Sequence, residues 1–245
     1  MRRIVFGVLF LFSLSAYSQT TSYQGWIELM ANKMVTKNMN MENAFTYSTL
    51  FTHPRWRAYD YSLCFERNFK DRIDVIGQFI ASYTNQTADY NTLELRPIVG
   101  LRWYGNKPEK HRYHWRVLGR LEQRNMLNLE DKSWSSNMRP RVRFELVFPI
   151  IGLHMTDNKI LYGMIDYEVM YYSDHITERF ANRSRSRIGI GYRFNDNWRI
   201  ELIAMWQQSR NNINESYNND DYIGRIRIRY FFSNSYNRTI DGIGN

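Results

Sequence analysis

One cysteine, five prolines and thirteen glycines among 245 residues leave several protein classes without support. Cys64 has no second cysteine to pair with, so the chain is neither a disulfide-stapled scaffold nor, with no cysteine directly after its N-terminal apolar segment, a lipoprotein. So little proline and glycine excludes collagen-like and linker-dominated chains, and 43% hydrophobic residues are too many for a disordered one. Beyond the N-terminal segment no run of 18 or more apolar residues occurs, so no transmembrane helix is encoded. Acidic residues are the minority, 24 Asp+Glu against 33 Lys+Arg, which gives a formal charge of +9. What the chain does have is aromatic residues, at 16%. Its length suits one β-barrel or two small domains and does not decide between them.

The N-terminus reads as an address. Arg2 and Arg3 form a positive head, Ile4 to Leu14 an apolar stretch, and Ala16-Tyr17-Ser18 a small-residue cleavage site. Residues 1–18 are therefore expected to be a cleaved signal peptide and 19–245 one mature domain, whose charge falls to +7 with the loss of the two arginines. Export changes the meaning of that charge. Nucleic acid is not the expected partner; anionic lipid, lipopolysaccharide or small anionic solutes are.

From Trp26 onward the hydropathy pattern has period two. In Leu93 to Trp103 the odd positions are apolar and the even ones carry Glu94, Arg96 and Arg102. Tyr113 to Arg124 repeats the scheme, with Trp115, Val117 and Leu121 on one face and Arg116, Arg120, Glu122 and Arg124 on the other; Arg139 to Phe148 and Ile223 to Tyr230 follow suit. A helix would scatter these charges around its circumference, whereas a strand sorts them onto one face. About eleven such strands are centred near Trp26, Ala44, Leu63, Phe79, Val99, Leu118, Phe144, Tyr167, Gly189, Leu202 and Ile226.

The connections alternate too: short turns at Asn68–Asp71, Gly105–Lys110, Thr156–Asn158 and Asn195–Asn197, and longer polar stretches at Asn85–Asn91, Asn125–Asn137, Ser173–Asn182 and Arg210–Asp221. That order predicts an all-β fold, a single antiparallel up-and-down transmembrane barrel of ten to twelve strands in the outer membrane of a Gram-negative envelope. Termini on the same side require an even count, so eleven implies a missed strand or a Trp26 segment outside the wall.

The apolar face, with Trp103, Trp115, Tyr192, Trp198, Trp206, Tyr222 and Tyr230, is assigned to lipid, and the charged face to the lumen. Arginine stripes at 139/141/143, 183/185/187 and 225/227/229 repel unless carboxylates stand opposite. Glu66, Asp74, Glu94, Glu122, Glu145, Asp166, Glu168 and Glu201 share their face. The expected lumen network comprises Glu94, Arg96, Arg120, Glu122, Arg124, Arg139, Arg141, Arg143, Glu145, Glu168, Arg187, Glu201 and Arg227.

The runs Arg120-Leu121-Glu122-Gln123-Arg124, Glu94-Leu95-Arg96, Arg139/Arg141/Arg143 and Arg187 to Trp198, in this order, resemble the bacterial family catalogued as domain of unknown function number 2490. The resemblance spans nearly the whole mature chain. It implies an outer-membrane-barrel-like fold and, since that family has no assigned activity, no catalytic residues.

Chemistry is sparse. Ser173, Asp174 and His175 lie together in one polar stretch, but proximity in sequence is no triad. Of the other histidines, His53, His111, His114 and His154, two (His111 and His114) sit at a turn and His154 lies near another, and Asn218 to Asp221 lacks the ligand spacing of a calcium loop. Gly189-x-Gly191 is no nucleotide fingerprint and is read as relieving crowding beside lumen arginines. Cys64, next to Glu66 on the polar face, is read as a bystander. The expectation is a non-enzymatic barrel without cofactor or metal, structural or surface-interacting. A small anion-preferring pore or solute-binding barrel is the alternative, and an envelope lipid-modifying enzyme the least favoured.

Overall fold

Two-residue alternation sustained over ten or more residues at a time gives strands long enough to close a cylinder. The computed structural model describes residues 21–52, 55–70, 72–86, 91–106, 112–155, 157–171, 184–209 and 219–232. Among them are eleven strands and no helix: β1 (Ser22–Thr36), β2 (Met39–Leu50), β3 (Arg57–Lys70), β4 (Ile73–Asn85), β5 (Thr92–Tyr104), β6 (His114–Asn128), β7 (Trp134–Ile151), β8 (Ile160–Met170), β9 (Ser184–Arg193), β10 (Trp198–Ser209) and β11 (Asn219–Phe231). The expected leader, 1–18, lies outside the described residues.

Each strand pairs with its sequence neighbours, antiparallel throughout, and the sheet closes on itself. Directions that alternate around an odd ring must clash once. Here β1 runs parallel to β11, from Ser22 opposite Asp221 to Asn32 opposite Phe231. The parity question therefore has a third answer. The eleven strands among the described residues close the ring by themselves, and the Trp26 segment is part of the wall. In consequence β1 starts at one end of the barrel and β11 finishes at the other.

We call the end carrying the β1–β2 link the turn end and the opposite one the loop end. The two-residue turn Lys37-Asn38 and the 51–56 link between β2 and β3 add two connections to those expected from the sequence. The expected long loop Asn125–Asn137 is mostly strand: β6 runs to Asn128, β7 starts at Trp134, and only 129–133 connect them. Local hydrogen bonds make this link tight. Asn128 Oδ1 accepts from Glu130 N at 3.0 Å, Asp131 Oδ1 accepts from Ser133 N at 2.9 Å, and Lys132 takes a positive φ of 56°. Hydrogen bonds from the Ser133 hydroxyl and amide hold the Asp131 carboxyl below the usual carboxylate range. Ser173–Asn182 lies outside the described residues. At the turn end the links 105–113 and 152–159 are longer than expected, so the division into short and long connections is less strict than the sequence suggests.

The outer surface is banded. Tyr23 stacks on Tyr222 at 5.9 Å and Tyr59 lies between Tyr47 and Tyr83 near the loop end. Trp103 meets Trp115 at 5.1 Å, Tyr192 meets Phe194 at 4.8 Å, and Trp198 meets Tyr230 at 4.8 Å toward the turn end. Between the two belts Ile27, Leu29, Val99, Leu101, Val142, Ile165, Ile188, Leu202 and Ile226 point outward and exposed. Not all aromatics are outside: Trp56, Tyr162 and Phe231 are buried inside the barrel.

Candidate functional site: the charged lumen

Because the side-chain period is two, the residues alternating with the outer band face inward, and they include nearly every glutamate and most arginines of the strands. Unpaired, they would be costly, so each arginine stripe should sit beside carboxylates. On β7 the stripe interlocks with β6 and β8. Glu122 accepts from Arg139 Nη2 at 2.6 Å and from Arg141 Nη1 at 2.7 Å. Glu168 accepts from Arg143 Nη2 at 3.0 Å, from Arg120 Nη2 at 3.1 Å, and from Arg141. One carboxylate thus bridges three guanidinium groups, and a 4.0 Å approach from Arg185 makes a fourth.

The remaining network residues pair similarly. Glu94 holds Arg96 of its own strand at 2.7 Å and Arg124 of β6 at 2.5 Å. Arg116 meets Glu145 at 2.7 Å, and Arg187 meets Asp166 at 2.6 Å. Glu201 takes Arg227 Nη1 at 3.1 Å and the Tyr162 hydroxyl at 2.6 Å. Arg183 lies outside the described residues, so the second stripe is described only at Arg185 and Arg187.

The network extends beyond the expected set, both to residues already placed on the charged face (Glu66, Asp74, Arg102, Arg225 and Arg229) and to Glu28, Glu42 and Tyr104, which were not among them. Arg102 donates to Glu66 at 2.8 Å, while the Tyr104 hydroxyl donates to Asp74 at 2.7 Å. Glu28 accepts from Arg225 at 3.3 Å and from Arg227, Ser22 donates to Asp221, and Glu42 accepts from Arg229 at 3.4 Å. These contacts key the parallel seam. Alternation in Gln24-x-Trp26-x-Glu28 does mark Glu28 as inward, but only the closure of β1 on β11 says which arginines it meets.

The lumen is not uniformly polar, a correction to the expected filling. Val147, Met155, Ile160, Tyr162, Met164, Ile203, Met205 and Ile223 form an apolar cluster inside the barrel. Arg199 and Arg229 lie over the Phe231 ring, 4.5 and 5.1 Å from its centroid. Gly189 and Gly191 belong to this side. A Cβ on Gly191 would stand 2.3 Å from the Tyr162 ring, and one on Gly189 2.9 Å from the Leu202 carbonyl oxygen and 3.1 Å from Met164 and Ile203, so the crowding they relieve comes from apolar side chains and the neighbouring backbone, not arginines.

The register links inward residues into a belt across eight strands: Phe231, Asn32, Glu42, Cys64, Gln78, Ile98, Glu122 and Arg139. None is more than 5% exposed. Cys64 is a buried member of it, packed with Ile76 and Leu118. On the loop side of this belt lies a cavity of about 230 Å³.

Ser173, Asp174, His175, His53 and His111 lie outside the described residues. His114 is buried inside the barrel, and His154 sits in an exposed turn where its amide donates to Asp157 at 3.0 Å. Among the described residues no group of three or more His, Cys, Asp or Glu side chains is arranged to hold a metal.

Residues 23–219 match the family described as "Protein of unknown function (DUF2490)". No curated protein matches the sequence significantly. Among solved structures, the NanC porin in its rhombohedral crystal form aligns over 84% of this chain and 97% of its own, with a TM-score of 0.50 and 9% identity. At that identity the likeness speaks to the fold. Sequence match and barrel together identify the chain as a member of the DUF2490 family, a family of unknown function.

Proposed function

We propose that this chain is an outer-membrane β-barrel whose lumen is sealed against through-flow and whose role is structural or surface-interacting. The belt from Phe231 to Arg139 carries the reading: eight register-linked inward residues on eight of the eleven strands leave almost no surface to water. A second register line, Arg143, Glu168, Arg185, Gln207, Asp221 and Ser22, buried throughout, covers β7 to β11 and returns to β1. Ion pairs so enclosed stiffen a small barrel, since a guanidinium shared between carboxylates has little freedom left to lose.

The banded exterior supports the membrane placement. An aliphatic girth between two aromatic belts suits hydrocarbon flanked by headgroups, and in water it would be an apolar patch far larger than monomeric soluble proteins expose. The fold shared with a porin points the same way. Lipid and lipopolysaccharide are then the outer partners, and residues 1–18 the export signal. An open anion-preferring pore would require both buried lines to part, and an acyl-transfer site has no candidate among the described residues.

Membrane fractionation with heat-modifiable gel mobility tests the placement. The protein should be recovered with the outer membrane and run faster unheated than boiled. Recovery as a soluble periplasmic protein would overturn it.

A further inference from the structure

The cavity above the buried belt is asymmetric in a way that selects a ligand. Its floor is formed by Gln78 and Glu122 of the belt together with Arg120 and Arg141, two residues to the turn side of the belt on β6 and β7, and it reaches the loop end at Gln86 and Thr92. On β2 to β4, beside the longer Asp60, Gln78 and Ile80, much of its wall is made of short side chains: Ala44, Thr46, Ser48, Ala58, Ser62 and Ser82. Their smallness is the reason a void exists at all in a lumen otherwise packed with long ones. The opposite wall is formed by guanidinium groups, among them Arg96, Arg124, Arg139, Arg141 and Arg185.

Seven arginines and four carboxylates line the cavity, and Glu168, just behind the lining, pairs with Arg120 and Arg141 and lies 4.0 Å from Arg185, which leaves an excess of two positive charges. The carboxylates are committed: Glu94 to Arg96 and Arg124, Glu122 to Arg139 and Arg141, Glu28 to Arg225, and Asp60 to the Ser82 hydroxyl. Desolvated positive charge on one wall favours an oxyanion, with guanidinium the donor suited to carboxylate or phosphate. Hydroxyls and an amide on the other wall favour a ligand that carries hydroxyls of its own. The volume, about 230 Å³, lies below the range of roughly 300–1,000 Å³ usual for drug-sized ligands and fits one small ring.

We propose that this cavity is a blind binding site, entered from the loop end, for a single hydroxylated ring bearing one oxyanion. The inference rests on the sealed-barrel reading, because a floor makes the cavity a site and not a passage.

Isothermal titration of the detergent-solubilised full protein tests it, with glucuronate and glucose 6-phosphate as probes and glucose, acetate and inorganic phosphate as controls. At least one probe should bind about tenfold or more tighter than every control, and which of the two does so assigns carboxylate or phosphate. Ala44→Phe and Ala58→Phe each fill the void without removing a hydrogen-bonding group. In whichever variant keeps heat-modifiable mobility, probe affinity should fall about tenfold or more. Binding no better than acetate or phosphate, no binding, or filled variants that bind like the parent would each overturn the site. Ionic current through the same preparation separates the two readings. Current with binding intact overturns the sealed lumen, whereas silence without binding overturns the site alone.

Discussion

Arg116 Nε stands 2.7 Å from Glu145 Oε2 across β6 and β7, and both side chains are buried inside the barrel. A pair so enclosed depends on both partners, and removing either strands a charge. Arg116→Met and Glu145→Leu should each lower stability by about 3–5 kcal/mol, while the double variant should regain most of the loss. Urea unfolding of refolded barrels, read by tryptophan fluorescence, checks the cycle. Additive single losses would show that the two residues do not act as a pair.

Glu168 is a sharper case, because it bridges Arg120, Arg141 and Arg143. Glu168→Gln keeps the shape and deletes the charge that three guanidinium groups share. The expected loss is at the upper end of about 3–5 kcal/mol, larger than for the same change at Glu66, whose side chain is partly exposed and pairs chiefly with Arg102. Comparison of the two unfolding midpoints decides it.

Leu202 lies on the outer face of β10, midway between Trp198 and Trp206, and is 51% exposed. In water, Leu202→Arg at such a position would be close to neutral. In a bilayer it should cost about 2–4 kcal/mol. Refolding into liposomes gives the value, and a cost near zero would speak against lipid around this face.

Gly191 admits the Tyr162 ring that reaches Glu201. Gly191→Ala sets a methyl 2.3 Å from that ring, so Tyr162 must withdraw and its hydrogen bond to Glu201 is lost. Overpacking of this kind costs about 1–3 kcal/mol. Adding Tyr162→Phe to Gly191→Ala should then cost less than Tyr162→Phe alone, and thermal unfolding of the three variants measures the difference.

Most of the architecture could be read from alternation. The arginines at 139, 141 and 143 and the glutamates at 122 and 168 had to share a face, and the outward set from Trp103 to Tyr230 followed from the same parity. What alternation does not carry is closure. Whether β1 meets β11, and in which direction, depends on contacts between residues about 200 positions apart, so Glu28 beside Arg225 and Glu42 beside Arg229 could not be placed from local pattern. Loop lengths were overestimated at Asn125–Asn137 for another reason. Its polar residues sit on strand ends that rise past the apolar girth, where the alternating signal fades although the ladder continues to Asn128 and Trp134. The apolar cluster around Tyr162 was hidden likewise, since Val147 on β7 and the inward Met and Ile of β8 and β10 break the polar half of the pattern.

The sealed lumen is tested most directly by planar-bilayer recording on the purified, heat-modifiable protein. Two register lines of buried side chains predict no steady current across the bilayer at any ionic strength that leaves the barrel folded. A stable, reproducible conductance from folded protein, anion-selective or not, would contradict the account.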